Sequence, residues 1–150
     1  MTAVDVSDLA LQEVERNAAL NGLNVTPLKA DVFDLLTELT AKKCRDYDYI
    51  ILDPPAFTKT RSAVEGALRG YKEINLRGLK LVRPGGFLVT CSCSQHVLTE
   101  AFQDMVNEAA RDAKKRIRLV EYRTQAKDHP ILPQSIETKY LKCMILQVME

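Results

Sequence analysis

Apolar positions along the chain switch repeatedly between helical and strand spacing. Ser7 can cap a helix over about 8–21, with Asp8 in its first turn and Gly22 just past its end. Leu11, Val14, Ala18 and Asn21 trace one face of it, with Leu20 beside them. A short strand over about 25–30 and a short helix over about 32–42, carrying Leu35, Leu36 and Leu39, follow. Tyr49-Ile50-Ile51-Leu52 is a continuous apolar run, the pattern of a strand buried on both faces. It stops at Asp53-Pro54-Pro55, because two prolines cannot continue a central ladder.

A polar loop to about residue 63 leads into a helix over about 64–82. Pro84-Gly85-Gly86 reads as a turn and Phe87 to Cys91 as the next buried strand. A helix over about 97–114 sets Phe102, Met105, Val106 and Ala109 at helical spacing. Strands near 117–123 and 139–149 close the chain, joined by a proline-containing loop. With no helix between them, these two should pair antiparallel. The pattern predicts an α/β layered domain with a mostly parallel sheet.

Length and composition narrow the class. At 150 residues, 46% apolar and 27% charged, the chain reads as one soluble globular domain over 1–150. No apolar run approaches the roughly 20 residues of a membrane helix, and no basic segment precedes an apolar one at the amino terminus. A net charge of +1 is silent on nucleic acid. Cysteines at 44, 91, 93 and 143 do not form the pattern of a secreted disulfide scaffold, which points to a reducing cytoplasm. Zinc needs about four ligands at suitable spacing, and these cysteines, with His96 and His129, are scattered, so no metal is expected.

In an open parallel sheet the ligand crevice lies beyond the carboxyl ends of the strands. Polar residues recur there: Asp5 after Ala3-Val4, Asp31 after Leu28-Lys29-Ala30, Asp53 after Ile51-Leu52, and Cys91 to Ser94 after Leu88-Val89. Each acidic residue alone suits a helix cap. Three in successive units also suit a shared pocket for hydroxyl, amine and ammonium donors.

The ordered set of motifs resembles the class I S-adenosylmethionine-dependent methyltransferases. Val4-Asp5-Val6-Ser7 with Asn17-Ala18-Ala19-Leu20-Asn21-Gly22 is similar to their second motif, and Ala30-Asp31-Val32-Phe33 to their third. Asp53-Pro54-Pro55-Ala56-Phe57 is similar to their fourth motif and Thr90-Cys91-Ser92-Cys93-Ser94 to their sixth. With Gly70-Tyr71-Lys72-Glu73-Ile74-Asn75 and Asp128-His129-Pro130, the set most resembles bacterial enzymes that methylate carbon 5 of a cytosine in large-subunit ribosomal RNA. The resemblance implies a Rossmann-like layered sheet, mostly parallel with an antiparallel C-terminal strand, and S-adenosylmethionine as cofactor.

By position, the resemblance implies that Asp5, with Ser7 beside it, accepts the ribose hydroxyls. Asp31 then faces the adenine amino group, and Val32 and Phe33 line the ring. Asp53 and Pro54 lie between the cofactor's methionine end and the target base, with Pro55 and Phe57 toward the base. A carboxylate suits two hydroxyls, and adenine suits an apolar wall beside a polar edge. Lys59, Arg61, Arg69 and Lys72 are candidates for RNA phosphates, with a solvated surface as their other reading. Phe57 and Tyr71 are candidates for the base or for packing, and Asn75 for packing. His129 is read as ordering the last loop.

Carbon 5 of cytosine is too electron-poor to attack a methyl sulfonium directly. A thiolate adding to carbon 6 makes carbon 5 nucleophilic, and its later elimination restores the ring. The resemblance puts that thiolate at Cys93; a small buried strand-end side chain is the other reading. Cys91, two residues earlier, would share its strand face and is read as structural. Two other functions stay open: methylation of an exocyclic nucleobase amine, which Asp-Pro-Pro-aromatic also suits, and a non-catalytic binding or assembly module.

A glycine-rich cofactor loop after a first strand is not seen, because Gly85-Gly86 follows a helix and precedes a strand. The expectation is therefore a catalytic domain lacking its first βα unit, with two apolar sheet edges to be paired or covered. A swapped homodimer is one way to cover them. Light scattering tests this: a dimer is expected, and a well-behaved monomer that binds S-adenosylmethionine tightly would contradict it.

Overall fold

The computed structural model describes residues 1–44 and 47–149, which fall into two compact units, Met1–Lys42 and Lys43–Glu150. The first is a βαβα segment. Strand β1 (Thr2–Asp5) leads into helix α1 (Asp8–Leu20), then β2 (Thr26–Lys29) and helix α2 (Val32–Ala41). The strands pair parallel from Thr2 opposite Thr26 to Asp5 opposite Lys29. Ser7 caps α1 by accepting from the Ala10 N–H at 3.3 Å. Gly22, at φ 64°, turns the chain so that the Leu23 N–H reaches the Ala18 carbonyl at 2.9 Å. Leu11, Ala18 and Leu36 are the buried apolar residues of these helices, whereas Leu20 is exposed.

The second unit holds β3 (Tyr47–Leu52), α3 (Val64–Leu81), β4 (Val82–Ser92), α4 (Thr99–Asp112), β5 (Arg116–Arg123) and β6 (Lys142–Met149). Its sheet has the order β3-β4-β6-β5. Strand β3 pairs parallel with β4, while β6 pairs antiparallel with both β4 and β5. Three strands therefore point one way, and β6 enters between two of them against their direction. The predicted antiparallel pairing of the last two strands is present; the wedging of β6 beside β4 was not in the periodicity.

Packing follows the two-residue period of the strands. On β6, Lys142, Met144, Leu146 and Val148 are buried while the residues between them are half-buried. They share the core with Leu88 of β4, with Tyr71, Ile74, Leu79 and Leu81 of α3, and with Phe102 and Val106 of α4. Strand β3 departs from the expected two-sided burial. Leu52 is 5% exposed, but Tyr49 and Ile51, on the alternate face, are 62% and 65% exposed. An apolar run shows that a strand is sticky on both faces, not which faces its neighbours cover. Tyr49 stacks instead on Phe87 of β4, with ring centroids 5.0 Å apart.

The expected turn at Pro84-Gly85-Gly86 is a bulge inside β4. Tyr47 lies opposite Val82 and Tyr49 opposite Phe87, so Arg83 to Gly86 stand against Asp48 alone. Gly85 takes φ 82°, and a Cβ at Gly86 would lie 2.7 Å from the Asp48 carbonyl oxygen and 2.9 Å from Val82 Cγ1. The first obstacle is backbone and cannot swing aside. Gly86→Ala is expected to cost roughly 2–3 kcal/mol in urea unfolding by prying β3 from β4. Gly85→Ala, with open space around it, should cost only about 1 kcal/mol for its positive φ.

Candidate active site

In the second unit, β3, β4 and β5 end, and β6 begins, at one edge of the sheet. Two adjacent concavities open there. One, of about 240 Å³, is lined by Ala56, Thr58, Lys59, Cys93, Ser94, Gln95, His96, Glu137 and Tyr140. The other, of about 590 Å³, is lined by Asp53, Cys91, Tyr122, Arg123, Thr124, Ala126, Leu141 and Cys143. Because β4 stops at Ser92, Cys93 leaves the pleat. The expected shared face for Cys91 and Cys93 therefore does not form, and each lines a different concavity. Leu52 and Thr90 are register partners, which nonetheless puts the strand ends that carry Asp53 and Cys93 side by side.

Buried hydrogen bonds fix the Cys93 segment. The Ser94 hydroxyl donates to the Thr58 carbonyl at 3.1 Å, and the Ser94 N–H donates to the Ser92 hydroxyl at 3.4 Å. The His96 Nε2 lies 3.0 Å from the Lys59 carbonyl oxygen. The loop after β3 is thus tied to the loop after β4. Lys142, only 3% exposed, donates from Nζ to the Ser94 carbonyl at 2.5 Å and to the Tyr140 carbonyl at 2.8 Å. Burial pulls its ammonium down to about 8, against a smaller opposing pull from Cys93.

Tyr71 belongs to the core behind the loop after β3. It is fully buried, with Phe57 tilted on it at 4.5 Å and Phe102 edge-on at 5.6 Å. Burial pushes its phenol up, and no hydrogen bond of normal geometry reaches the hydroxyl. Asn75, one turn on, donates to the Tyr71 carbonyl at 2.8 Å. Burial, followed by a hydrogen bond with Cys143, pushes the Cys91 thiol up, and Cys143 is its direct partner across the β4–β6 ladder. That suits the structural part read for Cys91.

In the first unit, Asp5 and Asp31 stand at the same carboxyl end of the two parallel strands. One oxygen of Asp5 accepts from the Ser7 N–H at 2.8 Å. One oxygen of Asp31 accepts from the Phe33 N–H at 2.8 Å and, more weakly, the Asp34 N–H at 3.4 Å, capping α2. Cap and ligand readings are therefore compatible. Each carboxylate is aimed by its own loop, is exposed, and has a second oxygen that no described hydrogen bond uses. Val32 and Phe33 are half-buried beside Asp31. This acceptor and wall chemistry fits a nucleoside.

No family model matches the chain. A putative SAM-dependent methyltransferase from Streptococcus mutans superposes with a TM-score of 0.81 at 19% identity, over 98% of this chain and 38% of that one. NSun6 from Pyrococcus horikoshii, solved with SFG, gives 0.68 at 20% identity, over 99% and 41%. The chain has the Rossmann-like fold of these methyltransferases. In sequence it is 44% identical over 148 residues to ribosomal RNA large subunit methyltransferase I of Shewanella frigidimarina. It is 43% identical over 147 residues to the protein of the same name from Tolumonas auensis. It spans 97% and 96% of its own length in these matches but only 37% of each relative.

Within this methyltransferase fold several candidates change place. Lys72 is not a free phosphate contact: it bridges Asp112 at 2.9 Å and Glu108 at 3.2 Å on α4, and these carboxylates hold its ammonium above the usual lysine range. Tyr71 supports Phe57 from below and presents no surface to a substrate. Lys59, Arg61, Arg69 and Pro55 are exposed, and Pro54 is half-buried. His129 pairs with Asp128 at 3.2 Å in the late loop, away from the two concavities' linings. Thr58 and Lys142 were missed, Ser94 was read only as part of the strand-end motif, and His96 only as a scattered metal-ligand candidate. For Lys142 the signal was present: a lysine in the inward register of a strand whose next inward residues are Met144, Leu146 and Val148.

Lys142 also gives a pH signature. Its ammonium is disfavoured in the folded state, so between about 8 and the ordinary 10.5 the unfolded chain binds the extra proton. Stability contributed at this position therefore rises with pH across that window. Chemical unfolding of wild type and Lys142→Met from pH 7 to 10.5 should show the difference moving in favour of wild type as pH rises.

Proposed function

We propose that the chain is catalytic-domain sequence of an S-adenosylmethionine-dependent RNA methyltransferase that modifies carbon 5 of a cytosine in large-subunit ribosomal RNA, in a cytoplasmic setting. The observation that carries this reading is Cys93 itself. It is a half-buried thiol on a hydrogen-bonded strand-end segment, lining a concavity next to the end of β3 that carries Asp53-Pro54-Pro55. The similarity to relatives named as ribosomal RNA large subunit methyltransferases supports it.

When bound, S-adenosylmethionine supplies an electrophilic methyl group. Asp5 would accept ribose hydroxyls, Asp31 the adenine amino group, and Val32 and Phe33 would flank the ring. On the substrate side, the Asp53 carboxylate would accept from the cytosine amine. The Cys93 sulfur would bond to carbon 6, pushing electron density to carbon 5. Once carbon 5 has been methylated, water acting as base would take its proton, the electron pair would form the carbon 5–carbon 6 double bond, and the carbon–sulfur bond would break to return the thiolate. Exposed Lys59 and Arg69 would position phosphates without reading sequence.

The test is methyl transfer to unmodified large-subunit RNA by wild type and Cys93→Ser, with the product base identified by mass spectrometry. Wild type should yield 5-methylcytosine and Cys93→Ser at least about a thousandfold less, the scale on which single nucleophile deletions act. Methylation that persists in Cys93→Ser, on an exocyclic amine, would replace this reading with amine chemistry at Asp53. A protein that shows no binding of S-adenosylmethionine or its demethylated product at millimolar ligand would be a binding module instead.

A further inference from the structure

Lysine at an inward position of a core strand is costly, because desolvation opposes its charge. Lys142 nonetheless lies there, 3% exposed, and among the described residues no carboxylate pairs with it. Two of its three N–H donors are used by the Ser94 and Tyr140 carbonyls. Both acceptors flank the concavity that holds Cys93, and Ser94 directly follows Cys93. Ser92, the residue before Cys93, is the register partner of Lys142 across β4 and β6. Lys142 is thus bonded through its ammonium just past Cys93 and paired through its backbone just before it.

We infer that Lys142 is a positioning residue for Cys93: its ammonium clamps the Ser94 carbonyl so that the Cys93 segment cannot drift, and its third N–H is kept for the Cys93 thiolate. A carbonyl clamp alone would be served by a neutral donor such as Gln. A buried cation serves a group that becomes an anion, and an adjacent cation is what favours a thiolate over a thiol. Of the other ionisable side chains lining this concavity, His96 is turned to the Lys59 carbonyl, Glu137 accepts from Ser135, and Lys59 is the other cation but is exposed to water, where its charge is screened. Asp53 and Cys91 line the second concavity, and Tyr71 is buried behind both. The inference rests on Cys93 being the nucleophile, yet its tests need neither RNA nor cofactor.

The first test follows alkylation of Cys93 by iodoacetamide, read peptide by peptide with Cys44 as internal reference. At pH 7, Lys142→Met should react roughly three- to tenfold more slowly than wild type, and Lys142→Arg should recover most of the loss. By pH 10, where Lys142 has lost its proton, the two rates should converge. Equal rates at pH 7, or a gap that persists at pH 10 and so reports altered access, would overturn the inference. If Lys142→Met does not fold, wild type and Cys93→Ser labelled with 15N-lysine decide it. Loss of the thiol should lower the Lys142 titration midpoint, and an unmoved midpoint overturns the inference. Cys93→Ser that still methylates cytosine carbon 5 would remove the proposed chemistry while leaving both of these readouts intact.

Discussion

Strand β4 must satisfy hydrogen-bonding partners of opposite direction on its two edges, and the rest of the second unit is arranged around that demand. Its parallel neighbour β3 arrives through the long helix α3, since a parallel partner requires a crossover. Its antiparallel neighbour β6 arrives from a loop. The bulge at Arg83 to Gly86 takes up the mismatch on the β3 side. Only a residue without a Cβ fits against the Asp48 carbonyl there. Once β4 is held on both sides, its last residues can leave the ladder in a defined direction. That exit is where Cys93 sits.

Leaving a ladder exposes backbone groups that must find other partners. The described bonds show where they go. Ser94 gives its hydroxyl to Thr58 and its carbonyl to Lys142, so three strand ends are sewn together by one serine. Polar networks of this kind are favourable only when every member is satisfied. Beneath this stitch, Tyr71, Asn75 and Thr90 keep buried polar atoms without a partner, so the polar character of the site extends one layer deeper than its surface.

Much of this was legible in the residues. Asp53-Pro54-Pro55 marked the end of β3 because proline cannot serve a central ladder, and helix-free spacing marked β5 and β6 as antiparallel. Ser7 and Asp31 announced their helices, as short polar side chains before apolar periodicity do. What escaped has a common cause: it depends on neighbours that periodicity does not name. The apolar run of β3 does not say that Tyr49 and Ile51 stay exposed. The spacing of Cys91 and Cys93 gives one face only while the strand continues, and it ends between them. Lys72 looked like a candidate for RNA phosphates until α4 placed Glu108 and Asp112 beside it. The role of Lys142 needed the β4–β6 register, which no local pattern encodes.

The direction of β6 has a consequence for how such a site can vary. In an all-parallel sheet every strand delivers its last residue to the reacting edge, and the segment that follows is what shapes the pocket. Here β6 delivers its first residues, Lys142 and Cys143, so the segment that precedes it, with Glu137 and Tyr140, forms one wall of the Cys93 concavity. That segment connects two antiparallel strands and carries no crossover helix. It can lengthen, shorten or change composition without shifting a helix or a parallel register. The fold therefore keeps one wall of its pocket on a part of the chain that is free to diverge, while the opposite wall is held to the geometry of β3 and its prolines.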